Sequence, residues 1–350
     1  MKSRIFLTIC QLVAFFFSFG QSNTDYSASS IKHALDKLNV LGSVLYIAAH
    51  PDDENTALIS FYANERKYET AYLSATRGDG GQNLIGPQIR EELGIIRTQE
   101  LQAARRTDGG KQFFTRANDF GYSKHPDETF NIWEKDKVLE DMVWCIRKLR
   151  PDVLITRFST QPGITHGHHT ASAILAEEAF DLAGDPKAYE SQLEFVDPWQ
   201  PKKLFWNTSW WFYRNSGQKM DTASLISLNV GGYNPLLGMS YPEIAALSRS
   251  QHKSQGFGSS GSRGDRIEYL KQLKGAPSNS VFDGIDTSWD RVVNSNEVSF
   301  FIEKAIAEFD VNNPSAIVPD LLAARSALSK LEDNHLASIK KRENDDMINR

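Results

Sequence analysis

VLYIAAHPDDENTA (Val44–Ala57) runs apolar for its first six residues and then turns abruptly ionic. A continuous apolar run, rather than an alternating one, marks a strand buried on both faces, as in a parallel sheet. The run stops at His50 and Pro51, followed by Asp52, Asp53 and Glu54. In open α/β sheets, ligands gather beyond the carboxyl ends of strands, where strand order reverses. Ionisable side chains in that place point to chemistry.

The same grammar continues outward. DENTALISFYANERK reads as a helix, ETAYLSAT as a second strand, and IREELGIIRTQELQAARR as a long helix after the loop RGDGGQNLIGPQ. KQFFTR is a weak third strand and KDKVLEDMVWCIRKLR a helix; PDVLITRF is a fourth strand, HHTASAILAEEAFDLA its helix, and KKLFWNTS a fifth strand. Strands alternating with helices predict a three-layer α/β sandwich on a mostly parallel, Rossmann-like sheet. Past Phe212 the pattern weakens. SYPEIAALSRSQHKSQ is helix-capable, and GFGSSGSRGDR reads as a loop.

The fourth strand leads to a second ionisable group, His166, His168 and His169 in HGHH. Three of eight histidines within four residues fit metal ligation, because zinc takes imidazole nitrogen and carboxylate oxygen. A catalytic zinc site uses three protein ligands and leaves one position for water. His50, Asp53 and one histidine of HGHH would supply them, leaving Asp52 as a base. Each motif alone has a plainer reading. In HPDDE, Asp52 or Asp53 would cap a helix and the acids would suit its dipole; HGHH would be a polar loop. Their joint placement at two strand ends favours the metal.

AAHPDDE, SATRGDGG, IIRTQELQAA, RPDVLITRF and HGHHTA, in this order between Val44 and Ala183, resemble the LmbE/PIG-L family of zinc-dependent deacetylases. The resemblance implies a hydrolase that removes the N-acetyl group from N-acetylglucosamine-containing compounds. It implies Zn2+, or another divalent metal, held by His50, Asp53 and His169. Asp52 would be the general base acting on a metal-activated water, and His166 would face the substrate carbonyl. His168 falls on a variable position with no role. Arg97 and Asp119 fall where the family often places substrate contacts; their plainer readings are an ion pair with Glu100 and a turn residue.

RGDGGQN lacks the third glycine of the dinucleotide fingerprint and follows the wrong strand, so it is read as a pocket rim. HPDE at His125–Glu128 echoes the first motif without a strand before it, which makes Asp127 a cap rather than a ligand. In FWNTSWWFY most aromatics are core, with Trp210 or Trp211 the candidates for a sugar subsite. His252 could reach the pocket or end a solvated helix.

The opening MKSRIFLTICQLVAFFFSFG has the basic start and short apolar core of a secretory signal peptide, with cleavage near Gly20–Gln21. The expectation is an exported protein, periplasmic or extracellular, without a membrane span after cleavage. The formal charge of -5 would fall to about -7 with Lys2 and Arg4 removed. That balance carries no basic footprint for nucleic acid. Cys145 would then be alone and is read as a core residue. The expected organisation is a signal peptide at 1–20, a deacetylase domain at 21–312, and a charged helical tail or linker at 313–350. Two alternatives stand beside deacetylation: an amidase cutting a different amide, and a non-catalytic carbohydrate-binding protein derived from such an enzyme.

Overall fold

A computed structural model describes residues 26–214, 219–331 and 335–350. The expected signal peptide lies outside the described residues. Strands β1 (Ser43–Ala48), β2 (Glu69–Ser74), β3 (Lys111–Phe114), β4 (Val153–Thr156) and β5 (Lys203–Thr208) coincide with the five apolar runs. They form one parallel block in the order β3-β2-β1-β4-β5. Strand order reverses between β1 and β4, so the exits of these two neighbours frame the crevice where such sheets bind ligands.

Two further strands extend the sheet. β6 (Ile226–Asn229) and β9 (Ile267–Gly275) join in the order β5-β9-β6, both pairings antiparallel. A short hairpin, β7 (Tyr233–Asn234) with β8 (Met239–Ser240), stands apart. The sequence reading missed β6 and β9 because IEYLKQLKG is half-buried and mostly polar, without the continuous apolar signature of the central strands.

The helices take both faces. α1 (Ala28–Leu38) precedes β1, and α2 (Thr56–Ser60) with its π-helical continuation Phe61–Glu65 follows it. α3 (Glu91–Asp108) follows β2, while α4 (Pro126–Trp133) and α5 (Lys135–Leu149) follow β3. α6 (Gly167–Gly184) follows β4, and a single turn α7 (Trp210–Tyr213) follows β5. α8 (Tyr241–Arg249) leaves the hairpin. Along β1 the side chains alternate between layers, as a period of two requires. Val44, Tyr46 and Ala48 pack with Leu58, Phe61, Tyr241 and Ile244. Leu45, Ile47 and Ala49 pack with Met142, Ile146, Leu175 and Ala179. Cys145 belongs to that second layer.

A third core is closed by α1, α9 (Asn296–Glu308), α10 (Val318–Leu328) and α11 (His335–Asn349), around Leu35, Ile302, Leu321 and Met347. Residues 318–328 and 335–349 are therefore packed helices. Lys340 Nζ donates to the Lys37 carbonyl of α1 at 2.8 Å, and the His335 ring lies 3.3 Å from the Leu149 carbonyl of α5. Asp152, at the start of β4, accepts from the Ser43 N–H at 3.0 Å and from Arg291 at 2.8 Å, joining this layer to the sheet.

Candidate active site and metal centre

The chain leaves β1 in a tight turn. Asp53 N–H donates to the His50 carbonyl at 3.3 Å, and Asp53 Oδ2 accepts from the His50 N–H at 2.7 Å. The cap of α2 is Asn55, whose side chain accepts from the N–H groups of Ala57 and Leu58. That corrects the plainer reading of HPDDE: neither aspartate is spent on capping.

Asp52 has φ +91°, a backbone region that side chains other than glycine rarely adopt and that surrounding contacts must hold. Three contacts hold it. Its N–H donates to Glu54 Oε2 at 2.9 Å, its carbonyl accepts from Arg249 at 3.0 Å, and its Oδ1 accepts from Arg97 at 2.9 Å. Burial pushes the Asp52 carboxyl up to about 6 against the opposing pull of Arg97.

The second group comes from the N-terminus of α6, where His166 stands at the cap position. Gly167 makes the placement possible. A Cβ there would lie 2.4 Å from both the His125 carbonyl and Ser123 Oγ, so the preceding loop can seat only against a glycine. His169 stacks on Phe158, with centroids 3.7 Å apart, and points Nε2 at Asp53 Oδ1, 3.3 Å away. His166 lies over His169 at 3.7 Å between centroids. His168 is fully buried between Phe120 and Trp133, with Nδ1 3.0 Å from His50 Nε2.

The Asp53 carboxylate thus spans two imidazoles, 3.1 Å from His50 Nδ1 and 3.3 Å from His169 Nε2. The two contacts use different oxygens, Oδ2 toward His50 and Oδ1 toward His169, and each is close to the roughly 3.3–3.4 Å between neighbouring donors of a tetrahedral zinc shell. Among the described residues two groups bring one donor atom from each member within 4.8 Å of the others, His50 with His166 and His169, and His50 with Asp119 and His168. The charge distribution agrees. Burial opposes protonation of His50, yet the carboxylates of Asp119 and Asp53 outweigh it and push its imidazole up to about 10. Burial and neighbouring histidines push His166 down to about 3; burial also lowers His169, against Asp53. The carboxylates thus hold a proton on His50 in the ion-free cluster, and an ion taken up by that ring would displace it.

Arg97 and Asp119 are both buried. Arg97 is committed to Asp52 and to the carbonyls of Pro51 and Gly78, and Glu100 instead accepts from Ser254 at 2.7 Å. Gly78, at φ +73°, leaves room for that guanidinium: a Cβ would lie 2.4 Å from it. The glycine-rich loop is therefore the seat of Arg97. Asp119 Oδ1 lies 3.6 Å from both His50 Nε2 and His168 Nδ1, where it can orient imidazoles from behind.

Sequence reasoning missed the support beneath. Glu54 is fully buried, with Oε1 2.9 Å from His252 Nε2 and 3.2 Å from Arg105. Burial alone would raise its pKa, but His252 and Arg105 hold its carboxyl down to about 2. His252 is buried behind the turn rather than in the cleft or at a solvated helix end. The cleft itself, of about 500 Å³, is lined by Asp52, Asp53, His169, Arg157, Arg249 and Trp211 among others. Trp211 is 46% exposed there, and Trp206 belongs to the core.

The chain is 27% identical over 179 residues to mycothiol S-conjugate amidase of Streptomyces coelicolor, covering 47% of this chain and 60% of that protein. It is 29% identical over 186 residues to 1D-myo-inositol 2-acetamido-2-deoxy-alpha-D-glucopyranoside deacetylase of Segniliparus rotundus, covering 46% and 56%. The chain thus spans less than two thirds of either relative. Among solved structures it is similar to N,N'-diacetylchitobiose deacetylase from Pyrococcus horikoshii, with TM-score 0.44, 19% identity, and 61% and 70% of the two chains covered. The family model described as PIG-L, GlcNAc-PI de-N-acetylase, matches residues 45–180, the segment holding both ionisable strand exits, and this part of the chain is a PIG-L/LmbE-family domain.

Proposed function

We propose that this protein is an exported, metal-dependent N-deacetylase that hydrolyses the acetamide of an N-acetylglucosamine-type sugar or conjugate. The observation that carries the reading is a carboxylate, Asp52, held unligated beside a His–Asp–His set: its neighbour Asp53 spans His50 and His169, while Asp52 faces the cleft. His50, Asp53 and His169 would hold the ion, which when bound polarises a carbonyl and acidifies water.

The residues of the chain divide the remaining work. Asp52 takes a proton from the attacking water as its oxygen bonds to the acetamide carbon. His166 donates a hydrogen bond to the carbonyl oxygen as negative charge develops there. When the C–N bond breaks, Asp52 returns the proton to the nitrogen, giving acetate and a free amine. Arg97 keeps the Asp52 carboxylate aimed, and His168, 3.0 Å from His50 Nε2, steadies that ring from its second nitrogen with Asp119 behind both.

The likeness to an amidase supports a second reading, in which the same site cuts a different amide. Acetate release from a panel of acetamido sugars, beside release of amine from other amides, separates the two. The deacetylase reading fails if no acetamido sugar yields acetate while another amide is cut.

A further inference from the structure

A second cavity, of about 390 Å³, opens at the opposite end of the sheet, where β2 and β3 begin and the chain turns from α5 into β4. A six-residue strand such as β2 spans about 20 Å, so this cavity lies a strand's length from the exits that carry the ionisable motifs. Its walls come from two layers. Lys111, Lys148 and Arg150 belong to the segment matched by the family model, whereas His335 and Arg342 come from α11, beyond it.

The charges around this cavity do not balance. Among the described residues that line it, Glu69 is the only carboxylate, and its oxygens are taken by Lys111 and by Lys37. Arg150 reaches Asp197 at 2.6 Å, a largely exposed carboxylate outside the lining. Lys148 and Arg342 have no carboxylate within ion-pair distance among the described residues. Lys148 taken alone has a plainer reading, since a cation suits the carboxyl end of α5. Arg342 lies in the middle of α11, at no helix end, and lines the same cavity. His335 shows how closely these cations gather. Burial lowers its imidazole, and Arg150, Arg342 and Lys148 lower it further, although its Nε2–H donates to the Leu149 carbonyl at 3.3 Å.

Like charges brought into one concave wall repel each other, and the field they focus draws an anion. Guanidinium and ammonium N–H groups match phosphate oxygens. Phe113 and Phe195 add an apolar wall, and Phe195 is 72% exposed. A cavity of this size suits a small molecule rather than an ion alone.

We propose that Lys148, Arg150 and Arg342 form a binding site for a small phosphate ester with an aromatic or apolar body, seated between the family domain and the C-terminal helices and separate from the cleft. The phosphate lies against the three cations and the body against Phe195. Bound there, the ester ties α11 to the end of α5. The site does not rest on the deacetylase reading.

Phenyl phosphate, inorganic phosphate and phenol titrated into the metal-loaded protein test it, followed by calorimetry and by the imidazole NMR signal of His335, assigned from its loss in His335→Gln. Phenyl phosphate is expected to bind about tenfold or more tightly than phenol, with the advantage shrinking in salt, and to move the His335 signal. Lys148→Gln and Arg342→Gln should each weaken binding several-fold and together remove the His335 response, with amide hydrolysis unchanged. Arg342→Lys, which keeps the charge, should retain part of the affinity. Phe195→Ser should erase the preference for phenyl phosphate over inorganic phosphate.

Binding that leaves the His335 signal in place, or that persists in the double glutamine variant, puts the anion on the metal and overturns the site. Equal binding of phenol and phenyl phosphate overturns it as well. Inorganic phosphate binding as tightly as phenyl phosphate overturns the part given to Phe195.

Discussion

Glu54 and His252 stand 198 residues apart in the chain and meet at 2.9 Å with neither side chain exposed. Through Glu54 the pair also receives the Asp52 N–H, so the segment after α8 holds the turn that follows β1 from behind. Replacing Glu54 with Ala leaves Arg105 and His252 without this carboxylate and is expected to cost about 3–5 kcal/mol of stability. Urea unfolding measures the loss. Stability close to that of the parent protein would mean that this network does not brace the site.

Asp52→Asn is expected to lower acetate release by about 10²–10⁴-fold while metal content stays stoichiometric. Asparagine tolerates positive φ, so the turn survives the change. Elemental analysis of the purified variant, beside its turnover number, checks both halves. A variant retaining most activity on every accepted sugar would show that Asp52 is not the base.

Chelation is expected to abolish activity and lower the melting temperature, since an ion that binds only the folded state stabilises it by mass action. Adding zinc back should restore both. His169→Ala should fail to retain stoichiometric metal. Full activity in chelator would defeat the metal assignment.

Gly167→Ala places a methyl group where the His125 carbonyl and Ser123 already sit. The expected cost is about 1–3 kcal/mol, with weaker metal binding because His166 and His169 shift with the start of α6. Denaturation and metal titration of the same variant report the two effects separately.

Burial pushes the Cys145 thiol up to about 12, with a small further push from Asp141. Iodoacetamide at about pH 8 should leave Cys145 unmodified in the native protein and alkylate it once denaturant is added. Modification at equal rates in both states would place Cys145 outside the core.

The five parallel strands were legible because a strand covered on both faces writes an unbroken apolar run, as in Val44–Ala49 and Val153–Thr156. The two strand-end motifs were legible because each is contiguous. β9 was not, since its half-covered residues mix Glu268, Lys271 and Gln272 with Leu270 and Leu273. The Glu54–His252 pair was hidden for another reason: only the folded chain brings its two halves together. The cap of α2 misled as well, because Asn55 follows three acids that could have served in its place.

The order β4-β5-β9-β6 bears on how this protein can be taken apart. The segment matching the family model ends at residue 180, before β5 begins. Excised there, it would present the whole hydrogen-bonding edge of β4 to solvent, an invitation to strand-on-strand aggregation. Both ionisable strand-end motifs would be in such a fragment, yet Arg249 and His252, which steady the turn after β1, would be gone. A minimal enzyme must therefore be sought by trimming loops rather than by cutting at the limits of the recognisable motif region.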